Sequence, residues 1–142
     1  MLVKELMSAA PVSLEEDEPV AAAARLMRER NIGALPVCNA EGTLTGMLTD
    51  RDIVTRCVAS GASAANMRVQ DIMTRGAVTA ETTDPLDTAL QRMQREQIRR
   101  LPVTEGGKLV GMLSVADVAR TGRHAAETAE ALSMITSNVC RK

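Results

Sequence analysis

Thr49 and Asp52, and again Ser114 and Asp117, set a hydroxyl and a carboxylate three residues apart. Each pair directly follows an apolar run, Leu44-Thr45-Gly46-Met47-Leu48 in the first case and Leu109-Val110-Gly111-Met112-Leu113 in the second. An apolar strand ending at a hydroxyl residue, with an acid one turn further on, reads as a strand-to-helix turn with the hydroxyl at the helix start. The chemistry open to such a turn is recognition of a nucleoside phosphate. The helix start offers free N–H groups and partial positive charge to a phosphate, and the carboxylate can accept hydrogen bonds from two ribose hydroxyls. Hydrogen bonds to a charged group contribute about 1.5–3 kcal/mol each in favourable burial. The same spacing is also that of a capping box, which needs no ligand.

Other chemistries find less support. There is no Walker sequence, no Gly-x-Ser-x-Gly and no HExxH, and a single histidine, His124, cannot serve a set of acid–base sites, so no enzyme activity is expected. The three cysteines, Cys38, Cys57 and Cys140, are odd in number and irregularly spaced, which implies neither a disulfide framework nor a zinc motif. Cys38, beside a strand, is expected to be buried.

Apolar residues at 45% and charged residues at 25% describe an ordinary globular chain of 142 residues, enough for one domain or two small repeats. A net charge of −1 gives no electrostatic reason to expect nucleic acid or an anionic membrane as partner. Phe, Tyr and Trp are all absent, so a base could be sandwiched only by aliphatic and Met side chains, and aromatic-platform nucleic-acid binding is excluded. No apolar run approaches 18 residues and no leader is evident, so the expected location is cytoplasmic.

The elements that must position the two turns occur twice. Met7 matches Met73, Pro19 matches Pro85, Met27 matches Met93 and Leu35-Pro36-Val37 matches Leu101-Pro102-Val103, all at an offset of 66. From Gly46 and Gly111 onward the offset is 65, so one residue is lost in the intervening turn. In the first copy, Val3 to Met7 reads as a helical lead-in and Val12-Ser13-Leu14 as a short strand. A helix follows to about Asn31, with Val20, Ala23, Ala24 and Met27 on one face. In the second copy Asp84 is the expected N-cap before Pro85, and Leu86, Ala89, Leu90 and Met93 repeat the stripe. The strands holding Pro36 and Pro102 should lie at a sheet edge or begin there, since proline removes a ladder donor. Each then enters a β-hairpin. A second helix follows, Asp50 to about Ser60 and Val115 to about Thr121, making each repeat strand, helix, strand, strand, helix. The expected organisation is repeat 1 over 1–60, a linker over 61–67, repeat 2 over 68–121, and a C-terminal helix and tail over 122–142.

The duplicated order of elements, the apolar-Pro-Val strand and the Gly-apolar-apolar-Thr/Ser-x-x-Asp motif in both copies resemble a tandem pair of CBS domains, a Bateman module, over roughly residues 1–121. Segments such as Ile32-Gly33-Ala34-Leu35-Pro36-Val37-Cys38 are most similar to small stand-alone bacterial members of the hypoxic-response type, which suggests a stress-response setting. The resemblance implies an α+β fold with the repeats packed as a pseudo-two-fold pair, a homodimer, and a non-catalytic sensor of an adenosyl ligand that signals to a regulated protein. The ligand would be AMP, ADP, ATP or S-adenosylmethionine, and no cofactor is required. By matching position, Asp52 and Asp117 would hold ribose and Thr49 and Ser114 would lie beside phosphate. Arg100, with Arg99 next to it, would meet the phosphate, and Ser13, Val78 and Thr79 would face the base, together with Met47 and Met112. Gly33-Ala34 stands where the second copy has Arg99-Arg100, so the two clefts are expected either to share the arginines across the pseudo-two-fold axis or to differ, and the sharper expectation is unequal affinity. The alternative is a ligand-free dimeric scaffold in which both acids only cap helices.

Overall fold

The computed structural model describes residues 1–120. The expected C-terminal helix over 122–142, with His124 and Cys140, lies outside the described residues. In chain order the elements are α1 (Val3–Leu6), β1 (Ser8–Ala9), β2 (Leu14–Glu15), α2 (Val20–Arg30), β3 (Ala34–Cys38), β4 (Leu44–Thr49), α3 (Asp50–Asp52), α4 (Val69–Ile72), β5 (Thr74–Arg75), β6 (Ala80–Glu81), α5 (Leu86–Glu96), β7 (Arg100–Glu105), β8 (Lys108–Ser114) and α6 (Val115–Ala119). The α+β class and the two repeats are as expected. The helix after Thr49 is not regular, because α3 widens into a π-helical stretch over Ile53–Val58. There the Thr55 hydroxyl donates to the Arg51 carbonyl at 2.8 Å, a side-chain bond of the kind that competes with the backbone ladder.

The compact units follow a different division from the sequence repeats. Val12–Ala77 forms one unit, and Met1–Pro11 forms the other together with the described residues from Val78 onward. Each therefore takes its opening or closing segment from the other repeat. In the Val12–Ala77 unit the sheet order is β2-β3-β4-β5, and α4 and the residue after it bring Val69, Ile72 and Met73 into a core built around Leu14, Leu35 and Leu48. Burying side chains of this kind contributes roughly 1.5–3 kcal/mol each. In the other unit the order is β1-β8-β7-β6, and Val3 of α1 joins Leu86, Met93, Leu101 and Leu113. The stretch 61–67 belongs to the first of these cores. Ala62, Ala64 and Met67 pack against it, and the Ala64 and Met67 carbonyls accept the N–H groups of Ala21 and Val20 at the start of α2.

Four local expectations change. Asp84 does not cap α5, whose N-cap is Pro85. The first N–H, that of Leu86, goes to the Met1 carbonyl at 2.9 Å, while the Asp84 carboxylate turns back to accept from Glu81 N–H and Arg92. Pro36 and Pro102 lie in interior strands rather than at edges. They are tolerated because the parallel neighbours β2 and β6 are two residues long and pair only with Val37–Cys38 and Val103–Thr104, leaving no ladder partner on that side at the prolines. The stripe on α5 is buried at all four positions, whereas on α2 Ala24 is exposed where α5 has Leu90. Val12 and Ser13 precede the strand Leu14–Glu15 rather than belonging to it.

The hairpins carry the missing residue where the offset placed it. Cys38 pairs with Leu44 across a five-residue turn, and Thr104 with Leu109 one residue closer in sequence. Beyond the turn, β4 and β8 each receive the segment that comes from the other repeat. β5 pairs with Gly46–Met47 and β1 with Gly111–Met112. A Cβ on Gly46 would stand 2.5 Å from the Thr74 carbonyl oxygen, and one on Gly111 would stand 2.6 Å from Met7 Sδ and 3.0 Å from the Ser8 carbonyl oxygen. The glycine in each motif is therefore a docking requirement. Gly46→Ala is expected to push β5 off its strand and lower the unfolding free energy by about 1–3 kcal/mol, as overpacking does elsewhere. Urea denaturation of the variant beside wild type reads the difference, and an unchanged midpoint would refute the docking role.

Candidate functional site

Both hydroxyl–carboxylate pairs form the same geometry. Thr49 is extended (φ −112°, ψ 161°), and its Oγ1 accepts the Asp52 N–H at 3.1 Å while Asp52 Oδ2 accepts the Thr49 N–H at 3.0 Å. Ser114 (φ −119°, ψ 156°) and Asp117 repeat this at 3.1 and 3.0 Å. Each acid is thus a reciprocal capping partner, nearly enclosed, with 12% of its side-chain surface exposed in both cases. The second oxygen meets a cation. Asp52 Oδ1 lies 3.7 Å from Arg56 Nη1, whose stronger bonds go to the Ile72 carbonyl (3.0 Å) and Thr74 Oγ1 (3.3 Å), and Asp117 Oδ1 pairs with Arg120. In each acid one oxygen is therefore committed to the cap, and the other sits in an ion pair that a diol could replace.

Alternation along the strands decides what accompanies the hydroxyls. Leu48 and Leu113 point into the cores, so Met47 and Met112, one position earlier, share the opposite sheet face with Thr49 and Ser114. Both methionines are half-buried and neither belongs to a buried core cluster. Directly across the ladder, Arg100 stands opposite Ser114, and Ala34 opposite Thr49. The Arg99 carbonyl accepts the Val115 N–H at 3.0 Å, just as the Gly33 carbonyl accepts the Asp50 N–H at 2.9 Å. Arg99 and Arg100 are both exposed, and among the described residues neither guanidinium has a hydrogen bond or ion pair.

The corresponding place in the other unit has the opposite charge. Asp50 folds over Gly33, so closely that a Cβ there would be 2.9 Å from Asp50 Oδ2. Two cations beside one cap and an extra carboxylate beside the other make the pair electrostatically unequal, and Asp50 was not singled out from sequence. The signal was available: Asp50 occupies the position of Val115 in the offset-65 alignment.

The segments proposed to face a base lie just before β2 and β6. Val12 and Val78 are partly buried and pack on their own cores. Ser13 is exposed, whereas Thr79 is half-buried, and among the described residues the Val78 and Thr79 N–H groups and the Thr79 hydroxyl have no partner. The Thr79 carbonyl accepts from Arg92 Nη1 at 3.0 Å, and the same nitrogen meets Asp84 Oδ2 at 2.7 Å. Arg92 was not foreseen as part of a site.

The sequence profile of the CBS domain matches residues 3–59 and 69–123, and with two such matches in a chain of two mixed sheet-and-helix units, the protein belongs to the CBS-domain family as a tandem pair. Hypoxic response protein 1 of Mycobacterium tuberculosis is 36% identical over 117 residues, covering 82% of each chain. A crystal structure of Hypoxic Response Protein I with two coordinated zinc ions has a TM-score of 0.78 at 35% identity over 84% of this chain and 98% of that one. The CBS domain pair of protein MJ0100, in complex with 5'-methylthioadenosine and S-adenosyl-L-methionine, has a TM-score of 0.73 at 28% identity over 86% and 95% of the two chains. CBSX2 in complex with AMP gives 0.76 at 25% identity over 87% and 97%.

Among the described residues no three His, Cys, Asp or Glu side chains converge as a metal site, and no helix is long and apolar enough to cross a membrane. Cys38 and Cys57 are buried free thiols, and burial pushes the Cys38 thiol above its ordinary pKa, which keeps it protonated at neutral pH.

Asp84 has its pKa held below the usual carboxylate range, above all by the Glu81 N–H; burial opposes this, and the hydrogen bond and charge of Arg92 add to the lowering. A carboxylate depressed in the folded state contributes stability that is present above its unfolded pKa and is lost as pH falls through the folded one. Asp84→Asn should therefore lower the denaturation midpoint at neutral pH, and the gap from wild type should close as pH falls below about 4. Denaturation series at stepped pH values check this, and a gap that persists unchanged into acid would contradict it.

Proposed function

We propose that the chain is a non-catalytic sensor of an adenosyl ligand and passes the ligand state to a regulated protein. The observation that carries this reading is the nearly enclosed carboxylate at each strand-to-helix turn, with one oxygen in the cap and the other in an exchangeable ion pair. The unit beginning at Val78 adds, at that turn, two arginines that have no partner among the described residues. The carboxylate supplies acceptors for a ribose diol, and Arg99 and Arg100 supply charge for a phosphate. The adenosyl ligands in the MJ0100 and CBSX2 structures support the ligand class. Thr49, Asp52, Met47 and Ser13 make up the weaker half-site, because Asp50 would repel a phosphate there. Ser114, Asp117, Arg99, Arg100, Met112, Val78 and Thr79 make up the stronger one.

Absorbance at 260 nm is a direct first readout, since without Phe, Tyr or Trp the protein contributes little there. Calorimetric titration with AMP, ATP and S-adenosylmethionine should show binding to wild type. Asp117→Ala should weaken it by at least about tenfold, given roughly 1.5 kcal/mol or more per charged hydrogen bond lost, and Asp52→Ala should weaken it less. The completed capping boxes favour the scaffold reading instead, in which both acids serve only the helix starts. No heat from any of the three compounds, with an unchanged melting temperature, would decide for that reading.

Two copies are proposed to associate. Val54 and Val58, 58% and 63% exposed, stand four residues apart on the π-helical stretch as an uncovered apolar pair, and such pairs favour burial against a partner. Light scattering on wild type should give twice the chain mass of 15.2 kDa, and Val54→Lys with Val58→Lys should shift it to the monomer. A wild-type monomer would remove the dimer from the proposal.

A further inference from the structure

The carbonyl of Thr79 is held from behind by a side chain that the ligand chemistry does not itself call for. Arg92 lies on α5, an eleven-residue helix whose Leu86, Ala89, Leu90 and Met93 are locked in the core. From that base a single guanidinium nitrogen reaches the Thr79 carbonyl (3.0 Å) and Asp84 Oδ2 (2.7 Å), and Asp84 closes the loop by accepting the Glu81 N–H (2.9 Å). The stretch from Thr79 to Asp84 is thereby clamped at both ends to one helix. The Val78 and Thr79 N–H and the Thr79 hydroxyl, which have no partner among the described residues, are left for something else.

At an offset of 66 the first repeat has Leu26 for Arg92, Ser13 for Thr79 and Glu18 for Asp84. Leu26 packs against its core as a partly buried apolar residue, and nothing among the described residues bonds Ser13, which is exposed. The same helix position thus accepts an apolar side chain without loss of the unit. In that unit the segment before the strand has no clamp.

We propose that Arg92 is a positioning residue that fixes the Val78–Thr79 backbone in advance for the heteroaromatic base of the ligand, an inference that rests on the adenosyl reading above. A recognition segment ordered before binding loses less conformational entropy on binding, so the clamp raises affinity through the base without touching it. Arg92 acts on the base end of the ligand only, whereas Arg99 and Arg100 act on the phosphate end. The two devices occur in the same unit from different parts of the sequence.

The distinguishing experiment compares a ligand that has a base with one that lacks it. AMP and ribose 5-phosphate are titrated against the full-length wild type, Arg92→Leu and Arg92→Lys, with melting temperatures recorded alongside. Arg92→Leu installs the residue that the first repeat already accommodates. It should weaken AMP about tenfold while ribose 5-phosphate, measured directly or by displacement of AMP, changes less than about twofold. Arg92→Lys, which keeps a charged donor for both acceptors, should retain AMP affinity within about threefold. Arg92→Gln, too short to span both acceptors, carries the same expectation as Arg92→Leu should the latter not fold. Equal AMP affinity in wild type and Arg92→Leu overturns the inference, and so does an equal loss for both ligands, which would mark a general structural role. Silence of the wild type toward AMP, ATP and S-adenosylmethionine overturns the adenosyl reading, and this inference with it.

Discussion

The approach of β5 to Gly46 and of β1 to Gly111 is the contact on which the rest of the structure depends. Without a side chain at those two positions, a short strand from the other repeat can lie against β4 or β8, and the helix just before it, α4 or α1, is delivered to the core on the same path. That path brings Val69, Ile72 and Met73 into one unit and Val3 into the other. It also explains why the helix starts of α2 and α5 need no side-chain cap. The segments that close each unit present carbonyls to the first N–H groups, Met67 and Ala64 to α2 and Met1 to α5. One steric allowance therefore joins sheet, core and helix ends.

From the same strands follow the two turns. Once Leu48 and Leu113 are committed to the cores, the residues on either side, Met47 with Thr49 and Met112 with Ser114, must share the other face. The hydroxyl then begins a helix, and the acid three residues on satisfies the N-cap N–H. Capping and the proposed ligand binding would draw on different oxygens of one carboxylate, so the two roles do not exclude each other. A cap that is complete before ligand arrives holds the acid in a fixed rotamer, which is what an acceptor of two ribose hydroxyls requires.

The asymmetry between the units has three separate physical sources. Arg99 and Arg100 replace Gly33 and Ala34, Val115 replaces Asp50, and Arg92 with Asp84 replaces Leu26 with Glu18. In the proposed site the first two would alter charge at the phosphate end and the third would alter order at the base end. Asp50 and Gly33 lie in close contact, the exposed carboxylate end resting in the space a side chain at position 33 would take. A duplicated scaffold thus keeps its strands and caps in both copies while the surrounding residues differ.

The repeat, the α+β class, the hairpins with their one-residue difference, and both hydroxyl–carboxylate pairs were legible from sequence, because strand alternation, helical spacing and capping are local rules that act over three to seven residues. The unequal charge beside the two turns was legible too, through Arg99 and Arg100. Other features depended on segments distant in sequence. The pairing of β1 with β8 and of β5 with β4 decided which residues form a unit, and no local pattern states which copy a two-residue strand will join. Pro36 and Pro102 became interior residues because their neighbours were too short to reach them. Asp84 gave up the cap that its position suggested, because the Met1 carbonyl took the helix N–H and Arg92 took the carboxylate. Sequence by itself determined the elements and the chemistry at each turn, since those rest on a residue and its near neighbours. Tertiary structure alone decided which strands meet, and which carbonyl Arg92 holds, because those bonds join residues whose separation along the chain carries no record of their contact.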